Sequence, residues 1–334
     1  MRRRRFGRWL AVVISLILTV LAAEGLLRVV YSQSMDFDME MWKYATQVKI
    51  ASHDPRVGHD HRPHRRAFLM GVEVTTNRFG LRGDETTLEK PVNTYRIVVA
   101  GDSITMGWGV AQADTYPAQL ERMLNSRPPA GFPRGVRYEV LNLGIGNYNT
   151  VQEVTRLRTL GLKFAPDLIL LGYFINDAEP VPAARHRVLL ERSYLAAFVV
   201  SRLRQTPLAH AGSLTYKEYY RGLYADEQPG WRAAQAALVE LTALGHARSI
   251  PVVAYVIPEL HDLSATYAFA DIHQKLLRLG AGLRLPVVDL FPVFSGQSPE
   301  AALWVSPTDA HPNARAQRMI ARGIYDSLAG AVMP

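Results

Sequence analysis

Arg96-Ile-Val-Val-Ala-Gly-Asp-Ser-Ile-Thr105 is a run of β-branched and small apolar residues that stops abruptly at Gly101, Asp102 and Ser103, with Gly107 and Gly109 close behind. A short apolar run bounded by turn residues reads as a buried strand, here one that leaves a serine at its carboxyl end. Open α/β sheets bind ligands outside the carboxyl ends of their strands. Ser103 is therefore a candidate nucleophile, and the rest of the chain has to supply a base and donors for an oxyanion.

Downstream, strand and helix patterns alternate. Strands are expected at 96–100, 138–143, 167–173, 251–257 and 286–290, and helices at 115–126, 151–163, 231–248, 266–279 and 313–328. Short β-rich runs separated by helical patterns predict an α/β fold with a parallel sheet covered on both faces. Thr150 with Glu153 forms a capping-box pattern at the second helix. Residues 181–230 break the rhythm with an amphipathic run, Val188 to Leu203, and then Tyr216, Tyr219, Tyr220 and Tyr224. This stretch reads as a helical insertion over the active edge of the sheet, its aromatics serving as packing or as a lid.

The composition, 48% hydrophobic and 20% charged over 334 residues, is that of a folded globular chain. The net charge of +8 is concentrated at one end. Residues 1–31 carry six arginines against Glu24 alone, leaving only +3 on the other 303 residues. That is not the footprint of a nucleic-acid binder. The absence of cysteine excludes disulfides and thiolate metal sites.

Arg2 to Arg5 and Arg8 form a basic flank (1–8) before an uncharged run from Trp9 to Ala23, and the apolar pattern resumes after Glu24. The segment 9–31 reads as a single-pass signal anchor, with its amino terminus in the cytoplasm and the rest exported to the periplasmic side of the inner (plasma) membrane. Val20-Leu21-Ala22 is a passable cleavage site. Retention is favoured because Glu24 and Arg28 can pair at i, i+4 near the membrane surface. Residues 32–91 read as a juxtamembrane lead-in. In it His53, His59, His61 and His64 lack regular ligand spacing and sit among arginines, so a solvated segment is favoured over a metal site. Phe68 to Thr76 alternates as a strand, and Asn77 to Gly83 reads as a turn.

Four short stretches fall at strand ends or before the last helix. They are Gly101-Asp-Ser-Ile-Thr105, Asn142-Leu-Gly-Ile-Gly-Asn-Tyr-Asn-Thr150, Gly172-Tyr-Phe-Ile-Asn-Asp177 and Asp309-Ala-His-Pro-Asn313. In this order, and on this element pattern, the sequence resembles the SGNH (GDSL-type) esterase and acyltransferase superfamily over residues 92–330. The resemblance implies a three-layer αβα fold with a flavodoxin-like five-stranded sheet of order 2-1-3-4-5. It further implies Ser103 as nucleophile, His311 as base and Asp309 as its orienting acid. The oxyanion hole would comprise the Ser103 N–H, the Asn147 N–H and the Asn176 side chain, with no metal and no organic cofactor. Two positions depart from the family pattern: the usual second-block glycine falls on Asn147, and the acid lies two rather than three residues before the histidine. Asn147 still offers a backbone donor, and asparagine tolerates the left-handed conformation.

The chemistry needs these residue types in any case. A serine hydroxyl is a poor nucleophile without a neighbouring base, and histidine titrates in the range where it can take a proton and return it. Asp102 and Asp177 read as turn-stabilising. Pro258-Glu-Leu-His-Asp262 also lies at the ligand edge, where Glu259, His261 or Asp262 could either touch substrate or stabilise the loop; Asp289 reads as structural. No phosphate-cradling loop, Gly-x-Ser-x-Gly elbow or zincin motif occurs.

Three functions stand open. The first is a membrane-anchored serine esterase acting on O-acyl groups of a carbohydrate or other cell-envelope ester. The second is an O-acyltransferase that uses the same residues on an extracytoplasmic polysaccharide. The third is an inactive binding or assembly factor built on the fold.

Overall fold

The computed structural model describes residues 2–181, 192–205 and 214–332. Its centre is a sheet of five parallel strands, β5 (Thr94–Gly101), β6 (Arg137–Asn142), β7 (Leu168–Tyr173), β8 (Val252–Val256) and β9 (Val287–Asp289), in the spatial order β6-β5-β7-β8-β9. Counted from β5, this is the order 2-1-3-4-5. Because successive side chains alternate between faces, β5 feeds two cores at once. Val98 and Ala100 point into one with Ile169 and Leu171, and Ile97 and Val99 into the other with Leu168 and Leu170. All eight are nearly inaccessible to solvent, which is why these strands read as continuous apolar runs rather than alternating ones.

Helices cover both faces. The first core is closed by α5 (Thr150–Thr159), α8 (Pro229–Arg248) and α9 (Ala270–Leu283). The second is closed by α4 (Tyr116–Ser126) and α10 (Ala314–Val332). The expected cap of α5 is displaced by one residue. Asn149, not Thr150, is the N-cap, and its side chain and that of Gln152 exchange hydrogen bonds with each other's backbone N–H. Asparagine outranks threonine as an N-cap, and the shift turns Thr150 and Glu153 into the protein interior. The helix ends at Thr159, and Gly161–Phe164 continue as a 3₁₀ turn.

The lead-in differs most from expectation, because it is packed rather than solvated. α2 (Phe37–Gln47) buries Met39 and Tyr44. Two hairpins follow, β1 (Lys49–Ala51) with β2 (His59–His61), and β3 (Arg66–Leu69) with β4 (Val72–Thr75). The single strand expected over Phe68–Thr76 is thus a hairpin. Met70 and Gly71 both adopt positive φ (48° and 75°), the turn geometry that matches the right-handed twist of paired strands. A buried carboxylate on α2 holds it there, with the Met70 N–H donating to Glu40 Oε2 at 2.7 Å.

The amino-terminal helix α1 (Arg2–Val30) contains an apolar stretch, Phe6–Val30, long and hydrophobic enough to cross a membrane. Its 25 residues would span about 37 Å as a helix, against roughly 30 Å of bilayer hydrocarbon. Glu24 and Arg28 pair at 2.9 Å. Glu24 also accepts from Ser193 Oγ and from the backbone N–H groups of Tyr194 and Leu195, at the start of α6 (Tyr194–Arg204). Of the amphipathic run expected over Val188–Leu203, residues 188–191 lie outside the described residues. A second helix of the insertion, α7 (Tyr216–Leu223), carries three of the four tyrosines.

Candidate active site

The site forms at the carboxyl edge of the sheet. β5 ends at Gly101, Asp102 caps the short helix α3 (Ser103–Met106) by accepting from the Ile104 N–H at 2.9 Å, and Ser103 opens that helix. A side chain at position 101 would collide with Thr105, so the sharp turn requires glycine. Facing Ser103 is a hairpin absent from the expected elements, β10 (Trp304–Ser306) with β11 (Asp309–Pro312). It presents His311 with its Nε2 2.9 Å from Ser103 Oγ.

The two-residue spacing of Asp309 and His311 closes without difficulty. Asp309 Oδ1 lies 2.6 Å from His311 Nδ1 and accepts from the His311 backbone N–H at 3.1 Å. The other oxygen, Oδ2, accepts from Trp108 Nε1 at 2.9 Å. Burial alone would raise the Asp309 carboxyl, but the hydrogen bonds from His311 and Trp108 outweigh it and hold the group below its ordinary value. With Nδ1 bound to a carboxylate, the proton sits on that nitrogen and Nε2 faces Ser103 as an acceptor. The Phe37 ring stacks on the imidazole at 6.1 Å and 26°.

Asn147 and Asn176 line the same cavity as Ser103 and His311. Asn147 adopts φ 66°, a conformation asparagine accepts more readily than most residues. Neither its N–H nor that of Ser103 donates within the described residues. Asn176 Nδ2 donates to Asp102 Oδ2 at 3.2 Å, which leaves its second hydrogen free. Asp102 thus does more than stabilise a turn, because it also orients Asn176. Its carboxyl is raised by burial, against the hydrogen bonds it accepts. Asp177 is buried behind Asn176 and accepts from the Phe174 N–H at 3.3 Å.

The second-block loop is held from outside the sheet. Gly146 N–H donates to Tyr44 Oη at 2.8 Å, and Tyr44 Oη lies 2.6 Å from His61 Nε2. His61 Nδ1 lies 3.1 Å from the Gly80 carbonyl, which fixes the proton on Nδ1 and makes Tyr44 the donor to Nε2. His59 Nε2 donates to the Gly146 carbonyl at 3.1 Å, and Lys49 Nζ donates to Asn147 Oδ1 at 2.8 Å. Burial pushes Lys49 down to about 7 and His59 down to about 3. Two of the lead-in histidines therefore serve as neutral braces for the loop. Arg82, at the end of the 77–83 turn, donates to the carbonyls of Met106, Gly107 and Val110 and so caps the end of α3. Phe37, Tyr44, Lys49 and Trp108 escaped the reading of the sequence. The one available signal was the aromatic-rich α2 pattern, which an irregular flanking composition obscures.

The cavity is a cleft of about 390 Å³. Its far wall carries Glu179, Tyr216, Tyr220, Glu259 and His261. Asp289 lies elsewhere, accepting from His273 Nδ1 at 2.8 Å and from the Phe291 N–H.

The first sheet strand of an αβα sandwich thus ends in a Gly-Asp-Ser turn opposite a carboxylate-bound histidine. The chain belongs to the GDSL-like lipase/acylhydrolase family, whose family model matches residues 99–319. No curated protein matches the sequence. Among solved structures, TesA is similar at 16% identity and TM-score 0.45, over 71% of this chain and 99% of that one. The psychrotrophic esterase EstA from Pseudoalteromonas sp. is similar at 15% identity and TM-score 0.43, over 70% and 97%. A catalytic mutant of Axe2, an acetylxylan esterase from Geobacillus stearothermophilus, is similar at 16% and 0.45, over 72% and 94%. Likenesses this distant assign no substrate and no residue role.

Proposed function

We propose that the protein is a membrane-anchored serine esterase that removes an acyl group from an alcohol, in its setting the hydroxyl of a carbohydrate or another cell-envelope component. The observation that carries this reading is the 2.9 Å contact between Ser103 Oγ and His311 Nε2, with the opposite ring nitrogen held by Asp309 at 2.6 Å. In the proposed reaction Ser103 Oγ attacks the ester carbonyl carbon while His311 Nε2 takes its proton. The carbonyl oxygen becomes an oxyanion facing the N–H groups of Ser103 and Asn147 and the free hydrogen of Asn176 Nδ2. Collapse breaks the bond to the alkoxy oxygen, which leaves with the proton from Nε2, and Ser103 remains acylated. Water repeats the sequence, giving up a proton to His311 and releasing the acid and the free serine. Each fixed donor is worth on the order of 10²–10³ in kcat.

The basic flank before the apolar helix supports an amino terminus in the cytoplasm and a site on the periplasmic side of the membrane. Fluorophosphonate treatment of the detergent-solubilised full chain, followed by peptide mass mapping, tests the nucleophile. The adduct is expected on Ser103 and is expected to vanish in Ser103→Ala. A folded chain that takes no adduct would point to the scaffold reading. Product analysis with a sugar present separates the remaining two: release of free acid supports the esterase, and an acylated sugar would reassign the protein to acyl transfer.

A further inference from the structure

The cleft that His311 lines holds a second histidine bound in the same way. Glu259 Oε2 accepts from the His261 backbone N–H at 3.0 Å, and Glu259 Oε1 is hydrogen-bonded to His261 Nδ1. This repeats, two residues apart, the closure that joins Asp309 to His311. Glu259 is 3% exposed, and each of its carboxylate oxygens accepts from His261, with the Tyr216 hydroxyl a further partner. The His261 side chain is 45% exposed and lines the cleft. At His311 the outward nitrogen is occupied by Ser103. At His261, Nε2 has no hydrogen-bond partner among the described residues.

Loop closure alone does not call for this arrangement. The same loop already has an Asx turn, with Asp262 Oδ1 accepting from the Ser264 N–H. A buried carboxylate that fixes a half-exposed imidazole is an orienting device, and it determines which ring nitrogen faces the ligand. The loop is also tied to the hairpin that carries Asp309 and His311. Trp304 Nε1 donates to the Leu260 carbonyl at 3.0 Å, and Trp304 is the register partner of Pro312. The two histidines are therefore set relative to each other by a single hairpin.

The surroundings indicate what the free nitrogen meets. Tyr216 and Trp304 flank the imidazole at 5.3 Å and 4.9 Å, and Tyr220 and Phe174 continue the aromatic wall of the cleft. Aromatic faces pack against the C–H faces of a ring compound while their polar edges stay hydrated. The ionisable groups that line the cleft are dominated by carboxylates, Asp102, Glu179, Glu259 and Asp309, beside the two histidines. A ligand bearing phosphate or carboxylate would meet like charge there. The hydrogen bond His261 donates to Glu259 raises the imidazole above the ordinary histidine value, opposed by partial burial and by Lys217, which itself pairs with Asp262 at 3.4 Å. With Nδ1 held by Glu259, Nε2 faces the cleft as an acceptor in the neutral ring and as a donor in the charged one, and a hydroxyl, which both donates and accepts, suits either form.

We propose that His261, oriented by Glu259 and flanked by Tyr216, binds a hydroxyl of the alcohol portion of the ester, so that the site selects uncharged acylated sugars over simple esters. This rests on the esterase reading above and adds the substrate class.

The test compares two probes on the detergent-solubilised full chain, p-nitrophenyl acetate and methyl 6-O-acetyl-glucoside, in wild type, His261→Ala and Glu259→Gln. Because truncation also takes a side-chain donor from the buried Glu259 carboxylate, folding is checked by circular dichroism and the readout is a ratio between two substrates on the same protein. The ratio of kcat/KM for the glucoside to that for p-nitrophenyl acetate is expected to fall roughly 10-fold in His261→Ala, the size of one hydrogen bond. The loss is expected mainly in KM. Glu259→Gln, which keeps the imidazole but loosens its clamp, is expected to fall between wild type and His261→Ala. An unchanged ratio would overturn the proposal, as would wild-type turnover of p-nitrophenyl acetate without any of the glucoside. Failure to turn over either probe, with no fluorophosphonate adduct on Ser103, would instead remove the esterase reading on which the proposal stands.

Discussion

Lys49 Nζ donates to the side chain of Asn147 at 2.8 Å while lying 4.5 Å over the Tyr44 ring. A residue from the first hairpin thus holds a loop of the αβα sandwich whose backbone faces the cleft. If Asn147 is the oxyanion donor proposed above, Lys49→Met is expected to lower kcat about 10-fold with little change in KM, since the interaction lost would position that donor rather than the bound ester. Lys49→Arg is expected to restore part of it. The same variant has a pH signature. Burial pushes Lys49 down to about 7, whereas the unfolded chain keeps its proton up to about 10.4. Between those values the unfolded state binds more protons, so this residue makes stability rise with pH. Thermal unfolding at pH 7 and pH 9 is expected to show a smaller alkaline gain in Lys49→Met than in wild type.

Asp309 is engaged on both oxygens, by His311 and by Trp108. Asp309→Asn is expected to reduce kcat by about 10³–10⁴, because an amide at this position permits the wrong tautomer of His311. Trp108→Phe removes a single donor and is expected to cost roughly 10-fold. Both are read from ester turnover beside a circular-dichroism check of folding. An Asp309→Asn enzyme with near-normal turnover would mean that His311 is oriented by other contacts.

Behind the site, Glu153 and Asp177 are buried carboxyls raised well above their ordinary values chiefly by burial, with the charges of Asp177 and Asp102 adding to it at Glu153 and those of Asp102 and Glu179 at Asp177. Both oxygens of Glu153 and one of Asp177 lack a hydrogen-bond partner. A carboxyl raised on folding holds its proton in the native state after the unfolded chain has released its own. Stability is therefore lost as pH rises from the ordinary carboxylate range toward the native value. Glu153→Gln removes this titration. It is expected to raise Tm more at pH 8 than at pH 4, and equal shifts at both values would contradict the assignment.

The last two turns of α1 are built into the fold. Glu24 accepts three hydrogen bonds at the start of α6, and the Arg28 guanidinium lies 5.2 Å over the Tyr194 ring. Cleavage after Ala22 would leave Glu24 on a frayed terminus, since the first residues of a helix depend on the turns before them. Intact-mass measurement of the membrane fraction is expected to find residues 1–22 retained. A mature chain beginning at Ala23 would show that this contact forms without the preceding helix.

What could be read from the sequence follows the range of the interactions involved. The strands and the covering helices announce themselves through local periodicity, and Ser103, Asn147, Asn176, Asp309 and His311 through short stretches placed at strand ends. Those five residues do line one cleft. The lead-in was illegible for the opposite reason. In α2, Glu40 and Lys43 look like solvated charges, yet they pair at 2.8 Å with side chains almost wholly buried. Tyr44 and Lys49 act on residues about a hundred positions away, and no local pattern encodes such contacts. The Met70–Gly71 hairpin was missed because methionine is not a turn signal; Glu40, thirty residues earlier, makes that turn possible.

The stack of Phe37 on His311 sets a length. Only residues 31–36 separate that ring from the end of α1 at Val30, and even fully extended they reach no more than about 25 Å. A chain anchored by that helix would be held on a short tether, with the proposed nucleophile confined to a thin shell above the bilayer. Esters carried on lipids, or on glycans still attached to them, would share that shell and meet the site by lateral diffusion. Their effective concentration is set by the surface, and soluble esters gain no such advantage.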